Sequence, residues 1–171
     1  MPNWEPFSIT PTGQRPPPPR ALSTRDGVGD RLRAAAFAEI QARDAFLWAS
    51  ERFSDASEDL KQAWRILARA EQKHLDWLLD RMRELGFAVK ERAVSDHLWQ
   101  SFQACETAEA FALFMANAEE RGRRAGERFY RELVGSDPIT AEIFGKIAEE
   151  EITHIELARK FFPESQPGQK P

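Results

Sequence analysis

Two short segments of this chain have the residue types and spacing to hold a metal ion: Glu71-Gln72-Lys73-His74 and Glu151-Ile152-Thr153-His154. On a helix, i, i+3 spacing puts the carboxylate and the imidazole on one face, a turn apart, where both can reach the same cation. Each pair has a further glutamate 32 residues upstream, Glu39 before Glu71 and Glu119 before Glu151. The set Glu39, Glu71, His74 thus recurs 80 residues later as Glu119, Glu151, His154. Oxygen and imidazole donors suit iron or manganese; zinc, which prefers a closed tetrahedral site, fits less well. Cys105 is the only cysteine, which excludes a disulfide framework and any cysteine-built metal site.

Helical wheels place these residues among apolar ones. Glu39 sits on the stripe of Leu32, Ala36, Phe46 and Phe53, and Glu71 and His74 on that of Trp64, Leu67, Leu75 and Leu78. Glu151 and His154 lie with Phe144, Ile147, Ile155 and Ala158. Of the adjacent Glu119 and Glu120, the stripe of Phe111, Met115, Gly122 and Phe129 passes close to Glu119, whereas Glu120 points to the opposite side, toward Arg124. The 80-residue repeat selects Glu119 too, and it extends to Trp64/Phe144, Leu67/Ile147 and Leu75/Ile155, so the second half reads as a diverged copy of the first. A single core carboxylate or histidine is ordinarily structural. Four carboxylates and two imidazoles at one level are different, because burying four uncompensated carboxylates costs many kcal/mol. No Lys or Arg on these stripes could neutralise them, whereas two divalent cations balance four glutamates.

Four long helices position the set. The first is expected from Asp30 to Phe53; the second starts at the Asp55/Ser57 capping signals and stops at Gly86. The third runs from about Thr107 to Leu133, and the fourth starts at Asp137-Pro138 and ends before Pro163. Short connections make antiparallel hairpins of helices one and two and of three and four. The connection 87–106 spans about 60 Å when extended, more than a helix of about 43 Å, so it can cross the whole bundle, with a short helix near Asp96 to Phe102. Residues 1–29 hold seven of the eleven prolines and read as an extended arm whose Trp4 and Phe7 dock on the body. Residues 30–162 form the bundle, and 163–171 a frayed tail.

With 42% apolar and 30% charged residues and a net charge of −4, the chain reads as one globular domain, not a disordered or fibrous one. The mildly acidic balance gives no reason to expect nucleic acid or an anionic membrane as partner, and no apolar run approaches the roughly 20 residues of a membrane span. The N-terminal segment shows no basic region followed by an apolar stretch, and the expected location is cytoplasmic. Arg121, Arg124, Arg128 and Arg131 alternate with Glu120, Glu127 and Glu132, reading as a salt-bridged surface. Glu150 is a candidate hydrogen-bond acceptor for a ligand imidazole. Tyr130 reads as core edge. Phe37 with Trp48, and Ile66 with Trp77, make outer apolar stripes to be covered by the arm, the crossover or a homodimer partner.

Glu39, Glu71-x-x-His74, Glu119 and Glu151-x-x-His154 match the ligand pattern of the ferritin-like di-iron carboxylate proteins over about residues 30–162. The stretches AAFAEIQARDAFLWASERF and AEQKHLDWLLDRMRELG also resemble an uncharacterised bacterial branch of that superfamily, similar to the tRNA-modifying di-iron hydroxylases, a likeness that transfers no substrate. The resemblance implies an all-α, ferritin-like antiparallel four-helix bundle with one long crossover. It also implies two metal ions, iron first and manganese second, with Glu71 and Glu151 bridging, and a di-iron or iron/manganese oxidoreductase that activates O2 or peroxide on an unidentified substrate. Rubrerythrins add a glutamate one turn after the third-helix ligand, where this chain has Gly122, and a cysteine-rich segment it lacks. The alternatives are a ferroxidase or iron-storage protein and a non-catalytic bundle whose metals only stabilise it.

Overall fold

The structure, a computed structural model, describes residues 2–165. Five α-helices form among the described residues: α1 (Arg25–Arg52), α2 (Glu58–Glu84), α3 (His97–Phe102), α4 (Ala108–Leu133) and α5 (Pro138–Phe161), with a 3-10 turn at Val89–Glu91. Among the described residues there is no strand, only an isolated parallel bridge between Ile9 and Val94. No helix among them is long and apolar enough to cross a membrane. The chain divides into two compact units, Met1–Ala45 with Ala68–Ser101 and Phe46–Leu67 with Phe102–Pro171.

In the first unit, α1 begins at Arg25, more than a turn before the expected Asp30, and takes residues 25–29 from the arm. Thr24 caps it: its Oγ1 accepts from the Gly27 amide at 3.0 Å and donates to the Ala21 carbonyl at 2.7 Å. Gly27 and Gly29 read locally as helix breakers, yet they are there for space. A Cβ on Gly27 would lie 1.8 Å from the Ala21 carbonyl oxygen, and one on Gly29 2.8 Å from the Phe87 ring. Gly122 on α4 is exposed, off the stripe to which the wheel assigns it, and a Cβ there would meet nothing within 4 Å. These sites should respond to alanine with opposite signs. Gly122→Ala is expected to raise stability by about 1 kcal/mol through helix propensity; Gly27→Ala is expected to lower it despite the same propensity gain. Thermal midpoints of the two variants check this, and a rise in both would contradict it.

The arm docks as expected. Trp4 and Phe7 are buried against Phe37, with ring centroids 5.3 and 5.0 Å away, and Trp4 also meets Trp99 at 5.6 Å. Its end is clamped where Arg20 donates to Asp30 Oδ2 at 2.9 Å and Oδ1 at 2.7 Å, and the buried Arg33 reaches the same carboxylate at 3.2 Å. Burial alone would raise the Asp30 pKa, but the Arg20 hydrogen bonds and the Arg92 charge outweigh it and hold it at about 2. A depressed carboxylate pKa contributes stability that is complete above about pH 4 and disappears as pH falls toward 2. Asp30→Asn should therefore cost about 2 kcal/mol at neutral pH and flatten the loss of stability between pH 4 and 2. Denaturant midpoints across that range test it; parallel acid limbs for both proteins would refute the clamp. At the end of α2, Gly86 takes φ 72°, and the Phe87 amide donates back to the Met82 carbonyl at 2.9 Å.

In the second unit, Ser57 caps α2 by accepting from the Leu60 amide at 3.2 Å. Asp55, expected to cap the same helix, instead accepts from the Ala108 amide at 3.0 Å and helps start α4, beside the Thr107 cap. Asp137 caps α5 ahead of Pro138. Phe111 is fully buried at the centre of a ring cluster, 5.3 Å from Trp64, 5.6 Å from Phe53 and 5.6 Å from Phe102. Trp48 meets Phe102 at 5.2 Å, so the end of the short crossover helix covers that part of the outer stripe, whereas Ile66 is 51% exposed. Tyr130 is on the surface, not at the core edge, with its ring over Gly145. Of the expected frayed tail, Ser165 donates to the Glu109 carboxylate, and residues 166–171 lie outside the described residues.

Candidate metal centre

Each unit brings one Glu and one Glu-x-x-His together. In the first, α1 supplies Glu39 and α2 supplies Glu71 and His74, and their ligand atoms lie within 4.8 Å of one another. Glu71 and His74 are fully buried and Glu39 is half-buried. His74 Nδ1 stands 3.6 Å from Glu39 Oε2 and 3.7 Å from Glu71 Oε2. In the second unit, α4 supplies Glu119 and α5 supplies Glu151 and His154, all three buried and with ligand atoms inside the same 4.8 Å limit. His154 Nδ1 is 3.2 Å from Glu151 Oε2.

These separations suit a cation. Ligand atoms at about 2.1 Å from a metal, in adjacent octahedral positions, stand about 3 Å apart. The 3.6 Å gap between His74 Nδ1 and Glu39 Oε2 is one that a cation held by both atoms could bridge. The donor set is carboxylate oxygen and imidazole nitrogen, both able to ligate a metal ion.

Glu120 faces the other way, as its wheel position requires. It accepts from Arg123 at 2.7 and 3.0 Å and from Arg124 at 2.7 Å. The Arg123 hydrogen bonds are the main reason its carboxyl sits at about 2, well below the ordinary range. Arg123 is the residue that sequence reasoning passes over in favour of Arg124; its i+3 offset from Glu120 and i−4 offset from Glu127 are the available signal. The rest of the ridge shows the expected pairing in Arg128 with Glu132 at 3.8 Å.

Arg81 is buried on α2, seven residues beyond His74 and on nearly the same face. It pairs with Glu84 at 2.8 Å, about 10 Å along the helix from His74. Glu150 is half-buried, and its backbone carbonyl accepts from Thr153 Oγ1 at 2.8 Å.

The surroundings of the two histidines differ. In the second unit Phe46, Leu60, Trp64, Leu67, Met115 and Leu157 enclose an apolar cavity of about 10 Å³ with Glu119 and His154. In the first, the Trp77 ring lies 5.6 Å from that of His74.

A family model described as protein of unknown function (DUF455) matches residues 5–169. No curated protein and no solved structure matches the chain.

Proposed function

The chain belongs to the DUF455 family, and we propose that it is a ferritin-like, non-haem di-metal oxidoreductase of the cytoplasm that activates O2 or peroxide. The observation that carries this reading is the repetition, once in each unit, of a Glu plus Glu-x-x-His triad whose members are buried or half-buried. Each triad would take one divalent ion, iron or manganese, held in the first unit by Glu39, Glu71 and His74 and in the second by Glu119, Glu151 and His154. Charge supports the pairing: four glutamates balance two dications, which removes the cost of burying them. Bound iron supplies the one-electron steps that O2 or peroxide chemistry requires. The residues do the rest: the glutamates neutralise and hold the ions, the imidazoles fix their positions, and the apolar walls beside Glu119 and His154 limit water. A cavity of about 10 Å³ beside Glu119 and His154 has room for about one water-sized molecule.

The test is anaerobic Fe(II) loading followed by exposure to O2. The reading predicts O2 consumption and a new near-ultraviolet absorption band with iron held at two per chain. Uptake of many ions per chain by a large assembly would favour storage. Tight binding without O2 consumption would favour a structural role.

A further inference from the structure

Beside the two triads, the repeat breaks at a position with redox consequences. Trp77 follows His74 by three residues; its counterpart after His154 is Leu157, a wall of the apolar cavity. The Trp77 and His74 rings are 5.6 Å apart at their centroids and tilted by 40°, so their edges are in contact. His74 is fully buried, Trp77 half-buried, and the exposed Lys73 places its ammonium 5.0 Å over the indole. A continuous path of two aromatic rings therefore leads from a candidate metal ligand toward solvent in the first unit, and the second unit has an aliphatic side chain at the repeat position.

We propose that Trp77 is the electron port of the centre. This rests on the di-metal reading above. With iron held by Glu39, Glu71 and His74, one electron from an external one-electron reductant would pass through the Trp77 indole and the His74 imidazole and reduce that iron from the trivalent to the divalent state. The reductant loses one electron, no covalent bond forms or breaks, and no proton has to move. Without a reductant, the indole itself would supply the electrons: it loses two electrons and two protons and gains the oxygen of one water, giving hydroxytryptophan, while one hydrogen peroxide takes up those electrons and protons and becomes two waters. The Lys73 cation over the ring face disfavours a positive charge on the indole, so the hole passes through Trp77 more readily than it rests there.

The test treats the full-length, iron-loaded protein with hydrogen peroxide, with and without ascorbate as the one-electron reductant, and maps oxidised tryptophan by peptide mass spectrometry. Trp77 should be modified at least about fivefold more than Trp48, which is also half-buried; ascorbate should protect it, and metal-free protein should lose the preference. Lys73→Gln should increase the modification. Trp77→Leu, which installs the side chain of the repeat counterpart, should keep the iron content and slow reduction of the oxidised centre by ascorbate at least about tenfold. Iron bound with Trp77 modified no more than Trp48, or an unchanged reduction rate in Trp77→Leu, overturns the port and leaves the di-metal reading standing. Failure to take up iron overturns both.

Discussion

Glu119→Ala is expected to weaken one metal position by at least about 100-fold and abolish Fe(II) oxidation, while Glu120→Ala leaves both intact. Losing even an outer hydrogen-bond partner of a metal ligand costs about 10–100-fold in affinity, so a lost ligand sets that range as a floor. Glu119 is buried with Glu151 and His154; the Glu120 side chain is 30% exposed and engaged with Arg123 and Arg124. Exposed ion pairs of that kind contribute at most about 1 kcal/mol, which sets the scale for Glu120→Ala. The stability of the stripped protein supplies a second, opposite sign. Without metal, removing a buried carboxylate relieves an unfavourable charge, so Glu119→Ala should equal or exceed the wild-type chain in thermal midpoint when both are metal-free, and fall below it when both are loaded. Metal content and melting curves of the two variants decide the matter; a response to Glu120 and not Glu119 would show that the face assigned to α4 is wrong.

Removing the metal should produce the second large effect. A ligand that binds only the folded chain stabilises it by about 4 kcal/mol at a thousandfold excess over its dissociation constant. In a domain of this size each kcal/mol moves the midpoint by about 2–4 °C, so each ion contributes about 8–16 °C. Chelation should lower the midpoint by at least that amount, and re-addition of Fe(II) or Mn(II) should restore it. Equal midpoints for loaded and stripped protein would remove the argument that the glutamates are buried for the sake of a cation. Glu119→Ala should retain about half of the shift.

How far the sequence shows the site depends on the range of the interactions involved. Glu119 can be separated from Glu120 because helical period and the 80-residue repeat both select it. The ends of α2, α4 and α5 are legible because Ser57, Gly86, Thr107 and Asp137-Pro138 act within a turn of where they stand. The start of α1 is not, because Gly29 answers to Phe87, 58 residues away, and Gly27 to the chain of the arm. Asp55 reads as a cap of the nearer helix although its carboxylate serves the Ala108 amide, 53 residues on. Trp77 is visible in the sequence only as part of an outer apolar stripe; its contact with the His74 ring becomes informative once Leu157 is set beside it. Arg81 escapes notice because charged residues are seldom buried; here it pairs with Glu84.

The most direct test of the central claim is an anaerobic Fe(II) titration of the metal-free protein, followed by calorimetry or by absorption and confirmed by metal analysis. The account predicts two equivalents per chain, reduced to about one in tight binding by Glu119→Ala. A titration that shows no specific uptake, or one whose stoichiometry is indifferent to Glu39, Glu71, His74, Glu119, Glu151 and His154, would contradict it.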